Sequence, residues 1–186
     1  LTFDVEIGQA AQIVCPDPQD IFLCGPGTEC VPISVLTPGA TVTVNPIGSY
    51  NAGNVCFPVD TSGHYELEVI AATDCGADTC SIVADVTINT PPVADEPDPA
   101  VVDTFICQSD EICYQFSGSD VDGGDLTWSR LNGSGTVTSD GLWCFTPGRG
   151  SFTVSAVVTD SCGAADTVTM TYNVTINSAP EIWFAT

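Results

Sequence analysis

One seven-residue pattern occurs three times in the chain: LTFDVEI at residues 1–7, IVADVTI at 82–88 and MTYNVTI at 170–176. Each copy carries apolar side chains at alternate positions. In the first, Leu1, Phe3, Val5 and Ile7 fall on one face and Thr2, Asp4 and Glu6 on the other. A period of two is that of a β-strand with one buried face, and the recurrence makes each copy the closing strand of a repeat. A short linker follows each copy (Ala10-Ala11, Pro91-Pro92 and Ala179-Pro180), after which the chain starts afresh. Helix-period patterning is absent and Gly/Pro punctuation recurs about every 8–12 residues. The expected architecture is all-β.

The repeats run from about residue 9 to 89 and from about 90 to 177. Residues 1–8 are then a last strand with no domain in front of it, and 178–186 a linker and first strand with no domain behind it. Cysteine spacing supports this register: Cys24 and Cys30 are six apart, as are Cys107 and Cys113, while Cys56 to Cys75 is 19 residues and Cys144 to Cys162 is 18. Asp78-Thr79 likewise matches Asp166-Thr167. Some 80–90 residues with about seven short strands is the size of an immunoglobulin-like sandwich. Strands in the first repeat are expected near 10–14, 20–24, 29–35, 40–45, 54–58, 64–73 and 79–88. Tyr65, just after a Ser-Gly turn, suits a tyrosine corner, or else an ordinary core aromatic; Phe152 at the matching place has no hydroxyl to offer.

Composition narrows the function. The 186 residues hold 24 acids and two bases, Arg130 and Arg149, for a net charge of −22. Neither nucleic acid nor an anionic membrane would find a positive partner here. No run of 18 apolar residues occurs, so no membrane insertion is expected. The apolar share of 44% is that of a packed chain, which argues against acidic disorder. Ten cysteines indicate an oxidising, extracellular setting and a disulfide-stapled fold. Leu1 opens a strand-like segment without a basic leader, as in a processed product or a window from a longer chain.

Cys15 and Cys80 have no counterparts in the second repeat, where Glu96 and Val168 stand. Their joint absence is what a bridge gained or lost as a unit produces, so a Cys15–Cys80 disulfide is expected. It would close a loop of about 65 residues, worth roughly 4 kcal/mol on the chain-entropy model. The four remaining cysteines of each repeat allow three pairings. The tight turn from Cys24 to Cys30 favours Cys24–Cys30 with Cys56–Cys75, and likewise Cys107–Cys113 with Cys144–Cys162. The rival is Cys24–Cys75 with Cys30–Cys56. Zinc is disfavoured because no CxxC pair is present and the sole histidine, His64, lies elsewhere.

No catalytic template fits. His64 has no nucleophile-elbow serine or HExxH motif to join, and no phosphate-cradling GxGxxG or Walker loop occurs. The chain is not expected to be an enzyme. One acidic run, GSDVDGGDLTW at 118–128, places Asp120, Asp122 and Asp125 around a glycine turn, an arrangement suited to an oxygen-preferring hard cation. That run, together with Val158-Thr-Asp160 and Asn177-Ser-Ala-Pro180, resembles bacterial cadherin-like and related Ig-like tandem repeats. The resemblance implies modules of surface adhesins and matrix proteins, many of which bind calcium in loops or at domain junctions. The full Asn-Asp-Asn junction and Asp-Arg-Glu motif of animal cadherins are missing, and the first repeat has Thr37-Pro-Gly-Ala40 in place of the acidic run. Calcium is thus expected at Asp120, Asp122 and Asp125 if anywhere. Asn132 and Asn173 begin glycosylation sequons.

At the ends, Leu1, Phe3, Val5 and Ile7, and the adjoining Ile182, Trp183 and Phe184, would leave apolar strands unpaired in water. They are expected to meet adjacent repeats of a longer chain or other copies of this one, head to tail, by strand addition. The leading expectation is a structural subunit or segment of an extracellular filament or surface polymer. The alternative is an adhesin segment binding carbohydrate or another cell surface, with Trp128 and Trp143 as candidate sugar platforms; an accessory domain of a secreted hydrolase ranks last.

Overall fold

A computed structural model of the chain describes residues 8–178, and every regular element in that span is a β-strand. The chain divides between Asn89 and Thr90 into two compact units, each with its own core.

The first unit contains β1 (Ile13–Val14), β2 (Gln19–Leu23), β3 (Gly27–Pro32), β4 (Ser34–Val35), β5 (Thr41–Asn45), β6 (Ser49–Asn51), β7 (Asn54–Val59), β8 (Gly63–Thr73) and β9 (Gly76–Ile88). One sheet has the order β2-β9-β8-β5 and the other β3-β7-β6, with β1 paired to β4. Alternation explains the sandwich. Val55, Phe57 and Val59 of β7, Leu67, Val69 and Ala71 of β8, and Ile82, Ala84 and Val86 of β9 are buried, while the residues between them face outward or are only partly covered. Each fully buried Val, Leu, Ile or Phe contributes about 1.5–3 kcal/mol of transfer free energy.

The second unit repeats the plan with β10 (Val93–Ala94), β11 (Val101–Ile106), β12 (Ile112–Gln115), β13 (Gly118–Ser119), β14 (Thr127–Gly133), β15 (Thr136–Val137), β16 (Leu142–Phe145), β17 (Gly150–Thr159) and β18 (Ala165–Ile176). Its sheets are β11-β18-β17-β14 and β12-β16-β15, with β10 paired to β13. The core is more aromatic: Trp143 stacks on Phe145 with centroids 4.6 Å apart, and Phe116 stacks on Trp128 at 5.6 Å.

The motif copies at 82–88 and 170–176 lie in β9 and β18, the closing strands of their units. Each is paired antiparallel to the strand before it and parallel to the second strand of its unit, Leu23 opposite Ile88 and Ile106 opposite Ile176. The copy at 1–7, with Leu1, Phe3, Val5 and Ile7, lies outside the described residues, as do Ile182, Trp183 and Phe184. The tyrosine corner is present in the first unit, where the Tyr65 hydroxyl donates to the Thr61 carbonyl at 2.7 Å. Phe152 instead packs on Phe145 at 5.2 Å.

Candidate functional sites: cysteines, an acidic loop and exposed strand edges

Strand register decides the cysteine chemistry. Cys15 is bonded to Cys80, with Cα atoms 5.8 Å apart, tying the segment after β1 to β9. Cys30 and Cys56 face each other across the antiparallel β3–β7 pair, and their Cα atoms lie 4.0 Å apart. Such close opposition is that of a non-hydrogen-bonded cross-strand pair, and the two are bonded. Cys113 and Cys144 repeat the arrangement across β12–β16 at 4.2 Å. The expected Cys24–Cys30, Cys56–Cys75, Cys107–Cys113 and Cys144–Cys162 bridges are therefore corrected. A tight turn brings chain ends together only when both ends stay in it, and here Cys24 ends the run through β2 while Cys30 enters the other sheet through β3. Cys24 and Cys162 are disulfide-bonded as well. Cys75 and Cys107 are exposed thiols, so the expectation that all ten cysteines are bridged is also corrected.

The acidic run forms the connection from β13 to β14. Asp120 Oδ1 accepts the backbone N–H of Asp122 at 2.8 Å, and the Asp120 carbonyl accepts that of Gly123 at 3.2 Å, closing a turn that Gly123 and Gly124 complete at φ of 78° and 103°. Asp122 Oδ2 accepts both the backbone N–H and the hydroxyl of Thr90, at 2.5 and 2.7 Å. Asp120 Oδ2 is buried without a hydrogen-bond partner. Asp125 is exposed, and the three carboxylates do not converge within 4.8 Å of one another. Among the described residues such a convergence of three groups occurs only at Glu111, Cys113 and Cys144, where both sulfurs are already bonded to each other.

The remaining candidates take structural places. Trp128 and Trp143 are buried in the second core, and Trp143 Nε1 donates to the Ser134 carbonyl at 2.7 Å, so neither offers a face to a sugar. His64 Nδ1 lies 2.7 Å from Asp85 Oδ1 across β8 and β9, an exposed pair of small energetic weight. Asn132 is exposed where the β14–β17 register shifts, while Asn173 Nδ2 donates to Asp103 Oδ1 at 2.9 Å. Both arginines are held by carbonyls: Arg130 by Gly133 and Gly135, Arg149 by Ile176. Sequence reasoning passed over Phe22 and Phe105, which stand at matching places on β2 and β11 and are 50% and 65% exposed. Their shared phase opposite Thr87 and Thr175 was the available signal.

Residues 89–173 match the family model described as bacterial Ig domain. By that match the second unit is similar to bacterial Ig domains. The first unit has the same strand plan, and the pair resembles known tandem sandwiches. Human protocadherin-24 EC1-2 aligns over 92% of this chain and 100% of its own at 9% identity, with a TM-score of 0.55. A chimeric titin Z1Z2 aligns over 92% of this chain and 100% of its own at 16% identity, with a TM-score of 0.39. Protocadherin gammaB7 EC3-6 aligns over 89% of this chain and 50% of its own at 12% identity, with a TM-score of 0.47. No curated protein matches the chain. The protocadherin-24 likeness is one of fold.

Proposed function

We propose that the chain is a structural subunit or segment of an extracellular filament or surface polymer, built from tandem Ig-like sandwiches and linked by strand addition, and that it is not an enzyme. The observation that carries this reading is a surplus in the sequence: the closing-strand pattern occurs three times, and the copies at 82–88 and 170–176 close the two described sandwiches. The copy at 1–7 has the same apolar phase. A neighbouring sandwich is the partner that would bury Leu1, Phe3, Val5 and Ile7, with a reciprocal contact through Ile182, Trp183 and Phe184. A heterologous contact of this kind does not close on itself and so propagates. The disulfides support an extracellular location, because such staples persist in oxidising compartments.

Calcium belongs to the same proposal. Asp120 Oδ2, buried and unpaired, is an oxygen that a hard cation would engage, with Asp122 as the neighbouring carboxylate. Negative-stain imaging of the full chain beside a variant lacking residues 1–7 tests the polymer reading. Fibres from the first and single particles from the second are expected; fibres from both would remove strand addition.

A further inference from the structure

The two free thiols occupy the positions that their counterparts in the other unit use for disulfides. Cys24 follows the last residue of β2, and Cys107 follows the last residue of β11; both strands pair parallel to the closing strand of their unit. Cys75 lies in the turn between β8 and β9, and Cys162 in the turn between β17 and β18. The four residues thus form two matched pairs. In the first pair Cys24 is bonded and Cys107 is free; in the second Cys162 is bonded and Cys75 is free. Each type of site is therefore built to take a bridge, and each free site is of the opposite type to the other.

We infer that Cys107 of one copy forms a disulfide with Cys75 of the next, joining copies of this chain head to tail. The inference rests on the polymer reading and names a covalent contact within it. Both thiols are exposed, as an intermolecular bond requires. Val101 and Phe105 are exposed on the outward face of β11, and strand alternation puts Cys107 on that same face. At the other end, Cys75 borders a recess lined by Thr37, Pro38, Thr41, Ala72 and Asp74, which gives the apolar end of β11 a place to settle. The partner is a second copy because the two thiols are complementary in position: each copy carries an open site of both types. A covalent joint also answers the charge, since a chain of −22 repels its own kind and gains little from polar contact alone.

The chemistry is two successive thiol–disulfide exchanges with a disulfide donor, such as an oxidised dithiol protein. The thiolate of Cys107 attacks the donor disulfide, and one donor sulfur leaves as a thiol. The thiolate of Cys75 from the next copy then displaces the second donor sulfur. One S–S bond forms between copies, one is lost from the donor, the two thiol protons pass to the donor sulfurs, and the donor is reduced by two electrons.

The test is non-reducing gel electrophoresis of the folded full chain after incubation with oxidised glutathione, which has the same disulfide chemistry. The unaltered chain should run as a ladder that collapses under reductant. Cys75→Ser and Cys107→Ser should each abolish the ladder, and an equal mixture of the two should stop at a dimer. Oxidised chain that stays monomeric, whether its thiols remain or close within one chain, would overturn the inference, as would equally strong dimers from Cys75→Ser alone. Imaging of the Cys75→Ser, Cys107→Ser double variant separates this from the underlying reading: fibres with no ladder from the unaltered chain sink the bridge alone, whereas a ladder without fibres sinks strand addition alone.

Discussion

Asp166 Oδ2 accepts the backbone N–H of Ala94 at 3.0 Å, and its other oxygen accepts that of Thr167 at 2.7 Å. Asp78 does the same in the first unit, taking Ile13 N–H and Thr79 N–H, each at 3.0 Å. The repeated Asp-Thr pair is thereby a latch: a carboxylate on the closing strand fastens the short opening strand, whose own ladder is only two residues long. The N–H of Ala94, then that of Thr167, holds the Asp166 carboxyl below its ordinary range.

A folded-state value below the unfolded one means that the latch contributes above about pH 4 and fades as pH falls through the folded value. Asp166→Ala should lose about 1 kcal/mol at pH 7, after allowance for solvent screening. The gap between variant and parent should then narrow below pH 4. Urea titrations across pH 7 to pH 2.5 check this, and a gap independent of pH would contradict it.

The described tryptophans both belong to the second unit, so their emission follows that unit. Replacing Cys15 and Cys80 by serine should weaken the first unit by about 4 kcal/mol, since that bridge closes 65 residues. Cys30 and Cys56 close 26 and should cost about 3.5 kcal/mol on the same chain-entropy argument. Far-ultraviolet circular dichroism should register an earlier transition in either variant. A matching large shift in the Trp128 and Trp143 emission would contradict independent stapling.

Trp143→Ala should destabilise the second unit by about 3–5 kcal/mol, the cost of deleting a large buried aromatic. It also strands the Ser134 carbonyl, which now accepts the indole N–H. Trp143→Phe should recover more than half of that loss in a denaturant melt, because the stack on Phe145 survives. Equal losses in the two variants would mean that the hydrogen bond outweighs the packing.

Calcium at the β13–β14 loop should raise the melting temperature of the second unit by several degrees, and Asp120→Asn should abolish the rise. Asp125→Asn should leave it intact, since that carboxylate stands apart from the buried Asp120 oxygen. An undiminished rise in Asp120→Asn, followed calorimetrically, would place any bound ion elsewhere.

The sandwich plan was legible because alternation is a local property: the residues that alternate in 82–88 and 170–176 are the ones that line β9 and β18. The Cys15–Cys80 bridge was legible as a paired absence between repeats. The cross-strand bridges were misassigned although their signal was present. Cys30 lies between inward Glu29 and Val31 positions and Cys56 between buried Val55 and Phe57, which puts both sulfurs on outer faces of strands that pair. Turn spacing points to Cys24–Cys30, but strand register prevails. The three aspartates near 120–125 looked alike in sequence, but one carboxylate bonds the loop backbone, one caps Thr90 and one faces solvent. Such a division is set by loop geometry, which residue types alone do not encode.

In the proposed assembly the segment at 1–7 completes a sandwich belonging to another copy. An electron cryomicroscopy map of native assembled material locates that segment directly. Leu1, Phe3, Val5 and Ile7 should be laid against the core of the neighbouring copy. Residues 1–7 folded onto the sandwich of their own chain would contradict it.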